Sequence, residues 1–100
     1  MKIATWNINS IRVRLQQLSD WLQKEKIDIL ALQETKCVDE KFPAEALQEL
    51  GYCPLYAGQK SYNGVAILAK KPLVAYPLPE NLNLADHQRI LIAPYQDYLI

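Results

Sequence analysis

Ile27-Asp28-Ile29-Leu30-Ala31-Leu32-Gln33-Glu34-Thr35-Lys36 is the stretch on which the fold turns. Its first six residues are apolar apart from Asp28, the pattern of a strand buried on both faces, and its last four are polar. Upstream, Ile11, Leu15, Leu18 and Leu22 recur at spacings of four, three and four, which marks one face of an amphipathic helix. Arg12, Arg14, Gln16, Gln17, Lys24 and Glu25 fill its other faces, and Lys24 and Lys26 suit the negative pole of the helix dipole. Ile8-Asn9-Ser10 forms a polar turn suited to capping that helix, and residues 2–6 read as a short strand ending at Asn7. A strand, a helix and a strand within about thirty residues make a βαβ unit with parallel pairing. Parallel neighbours end at the same sheet edge. Spacing alone therefore sets Asn7 beside Gln33-Glu34, at the edge where open α/β sheets place their ligands.

Downstream, Pro43 suits the first turn of a short helix and Gly51 its C′ position. Tyr52 to Ala57 and Val65 to Ala69 read as two antiparallel strands joined by a polar turn that ends in Asn63-Gly64. Residues 70–85 contain three prolines and read as loop, with a short strand over Leu73 to Tyr76. Arg89 to Tyr95 reads as a strand, and Tyr98-Leu99-Ile100 as the start of another. Ending on three β-favouring apolar residues predicts a chain cut within a domain, so residues 1–100 are expected to be one incomplete domain.

The composition, 50% hydrophobic and 22% charged, is that of a globular protein and argues against disorder. Eleven Lys plus Arg balance eleven Asp plus Glu, which excludes a globally basic nucleic-acid binder but not a local basic strip. Cys37 and Cys53 lie sixteen residues apart with no CxxC pair, which predicts two reduced, partly buried thiols rather than a zinc site. The N-terminus has no signal-peptide pattern and the longest apolar runs are too short to span a bilayer, so a soluble cytoplasmic protein is expected.

The candidate chemistry lies in Trp6-Asn7-Ile8-Asn9 and Leu32-Gln33-Glu34-Thr35-Lys36. A carboxylate at a strand end with carbonyl side chains beside it suits a hard divalent cation such as magnesium, which keeps several waters and takes one or two carboxylates. Asn7 would be a neutral ligand or a clamp on Glu34, and Lys36 would screen a phosphate or restrain the carboxylate. On the residues alone, the same pattern also describes a surface glutamate beside a turn asparagine. His87, the single histidine, reads as a solvated loop residue, Trp6 and Trp21 as core, and Lys70-Lys71 as a solvated strand end.

Thr5-Trp6-Asn7-Ile8-Asn9-Ser10-Ile11-Arg12 followed by Asp28-Ile29-Leu30-Ala31-Leu32-Gln33-Glu34-Thr35-Lys36 resembles the opening of the exonuclease III family of apurinic/apyrimidinic endonucleases, within the endonuclease/exonuclease/phosphatase superfamily. Gly51-Tyr52, Gly58-Gln59-Lys60 with Tyr62-Asn63-Gly64-Val65-Ala66, and Gln88-Arg89-Ile90 extend the likeness in order along the chain. The resemblance implies the N-terminal part of a four-layer α/β sandwich, two packed mixed β-sheets flanked by helices. It implies a magnesium-dependent enzyme, also served by manganese, that cuts double-stranded DNA at abasic sites and degrades 3′ ends. The intact protein would be a monomer.

Residue by residue, the resemblance implies that Glu34 is the metal ligand with Asn7 beside the same ion, and that Asn9 holds a position where some relatives carry an Asp. It implies that Arg12 contacts the DNA backbone and that Tyr62 and Asn63 lie in a turn against the damaged strand. Ser10 departs from the glycine of many relatives. The family's catalytic Tyr, Asp, Asn and His would fall beyond Ile100, so no catalytic residue is expected in these hundred and the segment alone is expected to be inactive. Two alternatives are a phosphatase of the same superfamily acting on a non-DNA phosphoester, and a non-catalytic partial product.

Overall fold

A computed structural model describes residues 1–58, 63–75, 92–96 and 98–100. Its centre is a mixed four-stranded sheet ordered β1-β2-β4-β3, with β1 at Ile3–Asn7, β2 at Ile29–Gln33, β3 at Cys53–Ala57 and β4 at Val65–Ala69. β1 and β2 are parallel, as a crossover through a helix requires, and the register pairs Ile3 with Ile29 and Asn7 with Gln33. β4 runs antiparallel to both β2 and β3. The hairpin expected around Asn63-Gly64 is present, and its second strand has the bounds that the sequence predicts.

The alternation of side chains along the strands divides the core in two. Leu30, Leu32, Ala66 and Leu68 face a layer formed by α1 (Leu15–Glu25) and α2 (Ala44–Glu49), and pack with Leu18, Leu22 and Leu47. Ile29, Ile67 and Ala69 point the other way, onto Ala93 and Tyr95. Tyr95 belongs to a two-stranded antiparallel ladder of β5 (Pro94–Tyr95) and β6 (Tyr98–Leu99). β2 is thus covered on both faces, which explains its nearly unbroken apolar run. Leu18 and Leu22 are 0% and 1% exposed; burying each contributes about 2 kcal/mol.

Some expected boundaries shift. The helix opens at Leu15 rather than Ile11, because Arg14 (ψ 13°) interrupts the helical path and its Nε donates to the Ile8 carbonyl at 2.9 Å. Residues 11–14 form a separate turn that buries Ile11, with the Ser10 hydroxyl accepting from the Val13 amide at 3.4 Å. Ser10 caps, but it caps this turn. Pro43 flanks α2 instead of entering it, and Gly51 takes the left-handed C′ conformation at φ +92°. Leu73 to Ala75 are not paired, and Tyr76 lies outside the described residues. Of the strand expected over Arg89 to Tyr95, Pro94 and Tyr95 form a strand among the described residues, and Ala93 extends the pairing by exchanging backbone hydrogen bonds with Ile100 at 2.9 Å. Trp6 and Trp21 meet edge to face at 5.8 Å beside the helix-side core, as packing residues do.

Candidate functional site

The parallel register carries both strands to one edge, and there the chain leaves ordinary geometry. Asn9, Ser10, Glu34, Lys36 and Asn63 all have φ between 47° and 85°, a region that costs a side-chain-bearing residue about 1 kcal/mol or more. Backbone hydrogen bonds from two sides hold them there. The amides of Ile8, Ser10 and Ile11 donate to the carbonyls of Gln33, Glu34 and Thr35 at 3.0, 2.9 and 3.0 Å. From the other side, the amides of Thr35 and Lys36 donate to the carbonyls of Gly64 and Asn63 at 3.2 and 2.9 Å. The segment after β2 is clamped between the turn after β1 and the turn before β4.

Thr35 is the buried polar pin of this clamp, and its flanking residues turn outward because it turns in. A Cβ on Gly64 would stand 2.1 Å from the Thr35 Oγ1, so this glycine permits a close approach of chain to chain. Gly58 plays a similar part lower on the hairpin, where a Cβ would lie 2.0 Å from the Cys37 carbonyl oxygen.

On the outward side the clamp presents four polar side chains. Asn7 Nδ2 donates to Glu34 Oε2, Lys36 Nζ stands 3.7 Å from Glu34 Oε1, and the same ammonium donates to Asn9 Oδ1 at 2.5 Å. The structure therefore brings together Asn7, Asn9, Glu34 and Lys36, the four residues singled out for metal chemistry. Glu34 and Lys36 keep 45% and 30% of their side-chain surface in solvent, so an ion and its waters have access. The donors are hard oxygens, one carboxylate and two amide carbonyls, the set that suits magnesium held largely by water. Among the described residues no group of three or more His, Cys, Asp and Glu gathers, which is not the pattern of a zinc centre.

Asn63 lies at the same edge through its carbonyl contact with Lys36, while Tyr62 and His87 lie outside the described residues. Arg12 is exposed and lines a cleft beside the cluster, together with Lys36, Cys37 and Lys41. Lys41 is the residue that the sequence does not suggest, because Arg12 comes from the turn after β1 and Lys36 and Lys41 from the stretch between β2 and α2, with no common spacing. Burial pushes the Cys37 thiol above its ordinary value, against the opposing pull of Arg12 and Lys41. Neither cysteine forms a disulfide; Cys37 is buried and Cys53 half-buried. Iodoacetamide at pH 8 is expected to label Cys53 well before Cys37, and mass mapping that found the reverse order would contradict the burial described here.

The site is thus an asparagine clamped to a glutamate at the end of a parallel β1/β2 pair, in a mixed sheet backed by helices. Residues 4–98 match the Endonuclease/Exonuclease/phosphatase family, and the chain belongs to it. It is 44% identical over 71 residues to exodeoxyribonuclease III of Haemophilus influenzae, a match covering 71% of this chain and 27% of that protein. Its fold superimposes on a 3′ phosphatase from Neisseria, solved with a product DNA hairpin, with a TM-score of 0.92 at 40% identity, covering 99% of this chain and 39% of the other. An AP endonuclease from Archaeoglobus fulgidus gives a TM-score of 0.84 at 39% identity, covering 93% and 36%. The chain thus spans between about a quarter and two-fifths of the length of these relatives. Nucleases of this family generally use divalent metal ions.

Proposed function

We propose that these residues form the metal-binding part of a magnesium-dependent DNA-repair phosphodiesterase of the exonuclease III type, acting at abasic sites and 3′ ends of double-stranded DNA. The observation that carries this reading is the Glu34 carboxylate held between the Asn7 amide and the Lys36 ammonium at the end of parallel strands. Its relatives support it: an exodeoxyribonuclease, a 3′ phosphatase solved with DNA and an AP endonuclease.

In this reading Glu34 and Asn7 would hold the magnesium, which when bound supplies Lewis-acid stabilisation of charge developing on the phosphate. Asn7 fixes the carboxylate by donating to Oε2, which leaves Oε1 turned toward Lys36. Lys36 also anchors Asn9, so one ammonium sets the orientation of both side chains. A phosphate arriving at Glu34 meets that ammonium, whose charge offsets its own. Arg12, and the turn containing Tyr62 and Asn63, would hold the duplex by its backbone without reading bases, as suits an enzyme that works at any sequence.

The group that activates water is assigned to the part of the relatives' length that lies beyond Ile100, and the hundred residues alone are proposed to be inactive. The intact protein is proposed to be a cytoplasmic monomer, a location with which two free thiols accord. None of the described helices is long and apolar enough to cross a membrane.

The test is turnover by the full-length protein with magnesium. An abasic-site duplex is expected to be cleaved, inositol phosphates are expected to be left intact, and the isolated hundred residues are expected to show no multiple turnover. Cleavage of inositol phosphates without cleavage of DNA would overturn the reading in favour of a phosphatase. Turnover by the isolated segment would show that it contains its own base.

A further inference from the structure

Beside the Glu34 cluster, between the turn after β1 and the segment leaving β2, lies a cleft of about 580 Å³. Arg12, Lys36 beside Glu34, and Lys41 from the 3₁₀ turn at Asp39–Lys41 all line it. Val13, Cys37 and Val38 supply apolar lining, and no carboxylate stands among the described residues of the walls. Asp39, the nearest acid in the chain to Lys41 apart from Glu40, spends Oδ1 on the Gly58 amide at 2.9 Å.

The three cations are not equally committed. Lys36 faces Glu34 and Asn9, whereas Arg12 and Lys41 are exposed and make no ion pair among the described residues. Both bear on the thiol of Cys37, Arg12 also through a side-chain hydrogen bond, and the single opposing charge there is that of Asp39. Gathering like charges around an apolar-lined cleft is unfavourable until an anion enters, and the low-dielectric lining strengthens the attraction when one does. Because Lys36 forms both a wall of the cleft and the contact to Glu34, the cleft continues the Glu34 site rather than standing apart from it. A polymer of phosphates laid across Glu34 would extend into it.

We infer that this cleft receives a second backbone phosphate of the DNA strand, neighbouring the one at Glu34, and that Lys41 is a phosphate-binding residue. The inference rests on the DNA reading given above and adds to it a named contact and its place on the strand. Lys41 positions the strand and touches no reacting atom, so its loss weakens binding more than chemistry.

The test uses the full-length protein carrying Lys41→Ala, Lys41→Glu or Lys41→Arg, with folding checked by circular dichroism. KM for an abasic-site duplex is expected to rise about five- to tenfold in Lys41→Ala and further in Lys41→Glu, with the effect falling on KM rather than kcat; Lys41→Arg restores it. The slope of log Kd against log salt is expected to fall by about one, the signature of one lost phosphate contact. A scan with single methylphosphonate linkages is expected to find one position near the cut that weakens the wild type and leaves Lys41→Ala unaffected. Wild-type KM and salt slope in both Lys41→Ala and Lys41→Glu would overturn the inference. A wild-type enzyme that ignores DNA would instead overturn the function proposed above, so the two failures are distinct.

Discussion

Replacing Glu34 with Gln in the full-length protein is expected to lower kcat on DNA about a thousandfold, a loss of ~4 kcal/mol of transition-state stabilisation. The change removes one charge and almost no volume. The carboxamide oxygen of the new side chain could still accept from the Asn7 amide, so the clamp keeps its hydrogen bond while the proposed metal loses its carboxylate. Stability should move by no more than about 0.5 kcal/mol, because the side chain is partly solvated and the strained backbone at φ 53° suits Gln as well as Glu. The apparent magnesium requirement should rise together with the fall in kcat, which separates loss of a ligand from loss of a DNA contact. A kcat within tenfold of the wild type at saturating magnesium would remove Glu34 from the metal site. The freed Lys36 ammonium gives a second reading of the same variant. With its carboxylate partner neutral, it should hold DNA no less tightly, so Kd for the duplex should not weaken in parallel with kcat.

The βαβ unit is legible in the sequence because two physical periods meet in a short span. Ile11, Leu15, Leu18 and Leu22 carry the helical repeat, and the apolar run after Ile27 needs burial on both faces. Once pairing is parallel, the meeting of Asn7 and Glu34 follows from topology, and the register of Asn7 with Gln33 agrees with it. The hairpin is legible because Asn63-Gly64 supplies the positive φ that its turn uses, 57° and 93° here. The left-handed backbone at Glu34 and Lys36 is not legible. Neither residue type favours it, and it is imposed by amides arriving from the turn after β1 and carbonyls arriving from the turn before β4. The break before Leu15 is hidden for a similar reason, since the Arg14 contact with the Ile8 carbonyl depends on a fold in the chain rather than on periodicity. The basic cleft is invisible in the sequence because Arg12 meets Lys36 and Lys41 only when the turn after β1 packs against the stretch between β2 and α2.

Gly64→Ala is expected to destabilise the full-length protein by about 3 kcal/mol and to cost activity with no catalytic group altered. Two effects add at this position. At φ +93° any Cβ is strained, and here the Cβ would also lie 2.1 Å from Thr35 Oγ1 and 3.3 Å from the Lys36 amide nitrogen. Thr35 is 1% exposed and its own amide is bonded to the Gly64 carbonyl, so it has little room to retreat. Relief must come from moving the segment that carries Glu34 and Lys36, and for that reason stability and activity should fall together. Gly51 supplies the control, because it has nearly the same φ of +92° and nothing within 4 Å of its would-be Cβ. Gly51→Ala should therefore show the backbone strain alone, about 1 kcal/mol, with full activity. Adding Thr35→Ala to Gly64→Ala removes the nearest clashing atom and should recover about 1 kcal/mol, a coupling that a double-mutant cycle in urea would measure. If Gly64→Ala and Gly51→Ala unfold at the same urea concentration, the close approach at Thr35 carries no energy, and the clamp cannot be what sets the carboxylate.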